Sequence, residues 1–194
     1  DNFEGLFRFG LTDRTEFRIF TSGLTAFRSF QRQPARIGFS PLAFDFKTNL
    51  FAEKRQYLIP AMGIEEFIQT NTGSVGFNQN FQVGINLLFD HTLPYDFLFE
   101  WNIGFASDPD LRKTSVFELV VQWALQKEVF ENFDLFYQGY LNGTAQPRAG
   151  DGLVMGGGAI WAPYRWLAIW GSYNVGVNAE SPTTFAQVGF AVPF

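Results

Sequence analysis

Along most of the chain apolar and polar residues alternate with a period of two, the period of a strand with one greasy and one wet face. The first segment sets the template. Phe3, Gly5, Phe7, Phe9 and Leu11 fall on one side, with Glu4 and Arg8 on the other. Thr12-Asp13-Arg14 reads as a tight turn, and Glu16 and Arg18 alternate against Phe17 and Ile19 on the return. A long polar connection follows, roughly 22–38, with Arg28, Arg32, Gln33, Pro34 and Arg36. The pattern then resumes. Asp45, Lys47 and Asn49 oppose Phe44, Phe46 and Leu50; Glu65 opposes Ile64 and Ile68 in a strand expected over 56–68, with Pro60 marking an irregularity.

Further segments repeat it. Gln82, Asn86 and Asp90 oppose Val83, Ile85 and Phe89; Glu100 and Asn102 oppose Phe99, Trp101 and Ile103; Glu118, Gln122 and Gln126 oppose Leu119, Val121 and Trp123; Asp134, Gln138 and Asn142 oppose Leu135, Tyr137 and Leu141. The stretch 153–161 carries Gly156, Gly157 and Gly158, which leaves its faces ambiguous and points to curvature or a close approach. Leu167, Ile169, Tyr173 and Val175 oppose Ala168, Ser172 and Asn174, and a last strand puts Ala186, Val188, Phe190, Val192 and Phe194 on one side. Eleven strands result. Short turns near Asp13, Lys54, Tyr95, Asn132 and Tyr164 alternate with longer loops, the asymmetry of a transmembrane barrel.

Composition strengthens that reading. Aromatic residues make up 19% of the chain, with 25 Phe in 194 residues, yet mean hydropathy is -0.02, so the apolar residues must be interleaved with polar ones. No window supplies the ~20 consecutive apolar residues of a membrane helix. With no cysteine there is no disulfide framework and no thiolate metal site. The net charge of -5, with both signs scattered, lacks the basic stripe of a nucleic-acid binder. The expected fold is therefore an all-β, transmembrane antiparallel up-and-down β-barrel in a single domain, 1–194.

Bacterial barrels have an even number of strands, and five short turns suit twelve. Because the first turn arrives after one strand, the missing strand is expected upstream of Asp1; the alternative is a strand over 24–33, against which Arg28, Arg32 and Gln33 speak. The start at Asp1, without Met or an apolar leader, reads as a processed or partial chain whose export signal has been removed.

The last eight residues, 187–194, resemble the C-terminal assembly signal of bacterial outer-membrane barrels, through Gln187, Gly189, Val192 and the terminal aromatic Phe194. That resemblance implies the barrel-assembly machinery as a partner, outer-membrane lipid as surroundings, and the bacterial outer membrane as location. A second resemblance rests on Gly10-Leu11-Thr12-Asp13-Arg14-Thr15-Glu16-Phe17-Arg18 and, more loosely, on the spacing of the whole chain. This hairpin is similar to that of the transporter family named for the MetA pathway of phenol degradation. Membership implies an outer-membrane barrel of transporter or channel type, in which a further strand precedes the hairpin.

The polar set Glu4, Arg8, Glu16, Arg18, Asp45, Lys47, Glu65, Gln82, Asn86, Asp90, Glu100, Asn102, Glu118, Gln122, Gln138 and Asn142 then has two readings. As a lumen lining it sets solute or ion selectivity. As structure it is a mutually satisfied filling, with Glu4/Arg8 and Glu16/Arg18 close enough to pair. Tyr57, Tyr95, Trp123, Tyr164, Trp166 and Trp170 are candidates for interface girdles. His91, the only histidine, precedes the Pro94 turn and reads as an interfacial residue, because no pattern supplies a serine and an orienting partner. Asp108 and Asp110 read as a solvated loop rather than a weak calcium site. The expectation is a passive channel for small solutes, with no enzyme activity, metal or cofactor. The alternatives are a blocked barrel that anchors a partner subunit or a second copy, and, more weakly, a lipid-modifying enzyme using His91.

Overall fold

The computed structural model describes residues 3–27, 36–75, 77, 81–109, 115–142, 152–179, 181 and 183–192. Thirteen strands form among them: β1 (Gly5–Gly10), β2 (Thr15–Thr21), β3 (Leu24–Phe27), β4 (Arg36–Phe39), β5 (Leu42–Phe51), β6 (Ala61–Gln69), β7 (Gln82–Leu93), β8 (Phe97–Pro109), β9 (Ser115–Phe130), β10 (Phe133–Asn142), β11 (Gly152–Tyr164), β12 (Leu167–Gly176) and β13 (Thr184–Ala191). Eleven of them make one antiparallel up-and-down sheet, β1-β2-β5-β6-β7-β8-β9-β10-β11-β12-β13. These are the eleven strands that the alternation predicts. Among the described residues β1 and β13 do not pair with each other, so the sheet is not closed.

Four boundaries differ from expectation. The connection over 22–38 contains a separate two-stranded sheet, β3 with β4, so Leu24–Phe27 is a strand but not a twelfth member of the large sheet. The rest of the 24–33 alternative lies outside the described residues. The strand expected from residue 56 starts only at Ala61. Arg55–Tyr57 is a single 3₁₀ turn, Leu58 takes a left-handed conformation (φ 55°), and a bridge between Lys54 and Ile59 closes the turn. Pro60 has no N–H for the ladder, so extension begins after it. At the other end β7 runs on through His91 to Leu93, because Glu53 accepts hydrogen bonds from the Thr92 amide (2.6 Å) and hydroxyl (2.8 Å). The loop expected at 107–110 begins later, since β8 continues to Pro109.

The chain forms two compact units. The first comprises Asp1–Leu50, Gly63–Leu87 and Phe105–Glu118. Its hairpin β1–β2 turns where the Thr12 hydroxyl accepts from the Arg14 and Thr15 amides (3.2 and 3.0 Å), a side chain standing in for a backbone turn partner. Phe17 stacks with Phe9 and Phe44 and meets Phe46 at a tilt on its apolar face. Near the β3–β4 sheet, Phe77 is buried against Gly38, where a Cβ would meet its ring at 2.6 Å, and the Ser74 hydroxyl accepts from the Phe39 amide.

The second unit comprises Phe51–Met62, Leu88–Gly104 and Leu119–Phe194. Glycines on its paired strands make room for large side chains. In register, Phe136 faces Gly158, Trp123 faces Gly139 and Trp170 faces Gly189, and a Cβ at any of these glycines would collide with the opposing ring. Val154 and Asn174 are its fully buried side chains among the described residues.

Candidate functional site: polar ladders on the covered face

In the first unit the expected polar residues converge on Arg18. The register β1–β2–β5 sets Arg8 opposite Arg18, Gly10 opposite Glu16, Glu16 opposite Lys47 and Arg18 opposite Asp45, all on one face by the two-residue period. Arg8 reaches past Gly10 to hold Glu16 through both carboxylate oxygens (2.8 and 3.1 Å). Arg18 Nε donates to Asp45 (2.6 Å), lies 3.6 Å from Glu16, and its second nitrogen pairs with Glu65 on β6. Asn86 on β7 extends the ladder, donating to Glu65 at 3.0 Å. The fork of the guanidinium lets one cation serve two carboxylates, which a lysine could not do with the same geometry.

Burial matters here. The side chains of Arg18, Asp45 and Glu65 are only 13%, 14% and 18% exposed. Phe7, Phe9 and Phe46 on the opposite face are more exposed than these charges. Asn86 is buried too, and its Oδ1 has no partner among the described residues.

A second ladder crosses the other unit. Gln138 on β10, Gly156 on β11 and Asn174 on β12 are successive register partners. Gln138 donates to Asn174 Oδ1 at 2.9 Å across the gap that Gly156 leaves. Asn174 then donates to Ser172 (3.1 Å), whose hydroxyl approaches Gln187 on β13 at 3.4 Å. The glycine run is therefore a close approach. A Cβ at Gly156 would collide with Asn174 Oδ1, and one at Gly158 with the Gly171 carbonyl. Ser172 and Asn174, absent from the expected polar set, share this face; their alternation with Tyr173 and Val175 is the signal that marks them.

Other expected residues fall as follows. Glu16/Arg18 pair as anticipated, while Arg8 goes across the hairpin to Glu16. Glu4, Gln82, Glu100 and Glu118 each have a partner. Asn102 on β8 and Gln122 on β9 lie at strand positions of the expected parity. The Asn142 side chain and Phe194 lie outside the described residues, as do Asp110 and the Asp108 side chain; of the assembly signal, Gly189 faces Trp170 and Val192 is exposed. Trp170 departs from its expected place in an outer girdle. Its register pair with Gly189, two residues from the Ser172/Gln187 pair, puts it on the polar face. Tyr57, Tyr95, Tyr164 and Trp166 are exposed at or beside short turns, and Tyr164 stacks on Trp166 (5.3 Å, 3°). Trp123 meets Tyr137 edge-on. Among the described residues His91 Nε2 is buried without a partner, and no group of acidic or histidine side chains could hold a metal.

A polar face covered more deeply than its apolar counterpart, on an up-and-down antiparallel sheet, is compatible with an outer-membrane β-barrel. Among the described residues no helix is long and apolar enough to cross a membrane. The chain belongs to the family "Putative MetA-pathway of phenol degradation", whose family model matches residues 3–194. No curated protein matches the sequence.

Proposed function

We propose that the chain is an outer-membrane barrel that passes small solutes passively through a narrow lumen lined by its polar face. The observation that carries this reading is the inverted burial. Asn174 is 0% exposed while Val188 and Phe190, on the opposite face of the adjoining strand, are 83% and 70% exposed. In water that arrangement leaves a large apolar surface uncovered at about 25 cal/mol per Å²; in lipid the same surface is at home and the polar face is the one that needs enclosure. The family's description, and the hairpin that carries Arg18, support the same role.

The ladders favour a narrow passage. Charges that pair with one another leave few groups to draw an ion through, and Glu100 and Glu118, which have partners of their own, still add negative charge to the lining. A filling whose charges pair with one another also supports the second reading, a blocked barrel that anchors a partner subunit. Single-channel conductance of the purified protein in planar bilayers separates the two. A stable conductance whose ion selectivity shifts in Glu100→Gln/Glu118→Gln is the expected result, and a folded but silent protein would overturn the channel reading in favour of anchoring. No enzymatic role is proposed for His91.

A further inference from the structure

Where β11 turns into β12 the second unit carries a cavity of about 640 Å³, bordered by Asn132, Tyr164, Arg165, Trp166, Ala168 and Ala191. We propose that it receives the carboxylate of a small organic acid with an apolar body. The inference names a solute class for the polar face and so rests on the reading above.

The register fixes the face. Ala168 and Ala191 are partners, followed along β12 and β13 by Trp170 with Gly189 and Ser172 with Gln187. The period of two puts all three pairs on one side of the sheet, so the cavity lies at the end of the face that carries the uncharged Ser172/Asn174 ladder. The short side chains of Ala168 and Ala191 leave its floor free.

Charge selects an anion. Arg165 is the only charged residue on the border, and among the described residues its guanidinium makes no hydrogen bond or ion pair. Strands β11, β12 and β13 carry no charged side chain, so nothing on its own hairpin neutralises it. Its fork of N–H donors matches the two oxygens of a carboxylate. Asp134 and Glu128, register partners on β10 and β9, stand outside the border, and Asp134 shares the polar face through Ile160 and Trp170. One cation with two carboxylates in the neighbourhood suits a singly charged guest better than a phosphate dianion.

The rest of the border suits an apolar body. Tyr164 and Trp166 flank Arg165 and stack in parallel (5.3 Å, 3°). A pocket of this volume, apolar but for one cation and one carboxamide, fits an organic acid better than a bare ion. Arg165 is itself exposed, and a cation open to water holds its guest weakly enough to release it, as passage requires.

The test titrates hexanoate onto the full chain in an uncharged detergent, read by saturation-transfer NMR, with hexanol and inorganic phosphate as comparison probes. Saturable hexanoate binding is expected, weakened about tenfold in Arg165→Gln and partly kept in Arg165→Lys. Ala168→Phe, which fills the floor, should weaken it too, and Asp134→Asn should tighten it. Hexanol bound as well as hexanoate would make the cavity merely apolar, and phosphate bound as well would make it a free-anion site. Either result overturns the proposal, as does hexanoate binding indifferent to Arg165. Conductance of the same proteins in planar bilayers separates the two ways of failing. A silent barrel that binds hexanoate through Arg165 sinks the passage reading and leaves the site standing, whereas a conducting barrel whose hexanoate binding ignores Arg165 sinks the site alone. The heat-dependent gel mobility of each variant, unchanged from the parent, certifies that it folds.

Discussion

Gln138 and Asn174 sit on strands that do not pair, yet their side chains bond at 2.9 Å because the residue between them in register is Gly156. A hydrogen bond thus skips a strand. The fully buried carboxamide of Asn174 is satisfied on both sides, by Gln138 and Ser172, so the site gains from the bonds without the penalty of an orphaned polar group.

Gly156→Val places carbon where the Asn174 oxygen lies and must break the ladder. The expected loss is about 1–3 kcal/mol from overpacking, seen as a lower unfolding midpoint in a heat series read by gel mobility or circular dichroism. A value equal to the parent would show that the ladder is dispensable. Asn174→Ala should cost a similar ~1–3 kcal/mol by leaving Gln138 unpartnered.

Arg18→Met leaves Asp45 and Glu65 facing each other without their cation. Removing one member of a buried ion pair costs about 3–5 kcal/mol, and the residual exposure of this group argues for the lower end. The triple variant Arg18→Met/Asp45→Asn/Glu65→Gln removes the uncompensated charge and should recover most of that loss. Denaturant titration of the three proteins checks the order. A single variant as stable as the parent would mean that water enters and solvates the carboxylates.

What was legible in the sequence follows from what a period of two encodes. Alternation fixes which residues share a face, so the polar positions Arg18, Asp45, Glu65 and Asn86 and the eleven strands could be read directly. It does not encode which residue of one strand stands opposite which of the next. The Arg8–Glu16 contact and the strand-skipping Gln138–Asn174 bond depend on register and stayed out of reach. Glycine has no side chain to assign to a face, so the run at Gly156 was ambiguous until its neighbours were placed. Trp170 stands close to a turn, where an aromatic suits an outer girdle, but its even position, shared with Ser172 and Asn174, puts it on the polar side. Boundaries failed where local chemistry interrupts the period, as at Pro60.

Thr12 holds the first turn through its hydroxyl, which takes the Arg14 and Thr15 amides. Thr12→Val keeps the shape and removes the acceptor, so two N–H groups lose their partner at an exposed site where water can replace it. A loss of roughly 0.5–1.5 kcal/mol is expected, with faster amide exchange confined to 13–15. Exchange spreading through β1 and β2 would show that the turn controls the whole hairpin.

Glu53 gives the protein an acid-sensitive turn. Hydrogen bonds from the Thr92 amide first, then from the Thr92 hydroxyl and Arg55, outweigh desolvation and hold its carboxyl below the ordinary carboxylate value. A carboxyl whose folded value is depressed contributes stability that is fully present above its unfolded value and is lost as pH falls through the folded one. The tie between the turn and the end of β7 should therefore be intact at neutral pH, start to weaken below the ordinary glutamate range, and disappear beneath the depressed value. The Thr92 amide shift, followed by NMR in detergent micelles as the pH is lowered, should move with a midpoint below that of an exposed glutamate. In Glu53→Gln the acidic transition should vanish, while the Thr92 amide stays bonded to the neutral side-chain oxygen. A midpoint at the ordinary glutamate value would mean that Thr92 does not favour the charged form.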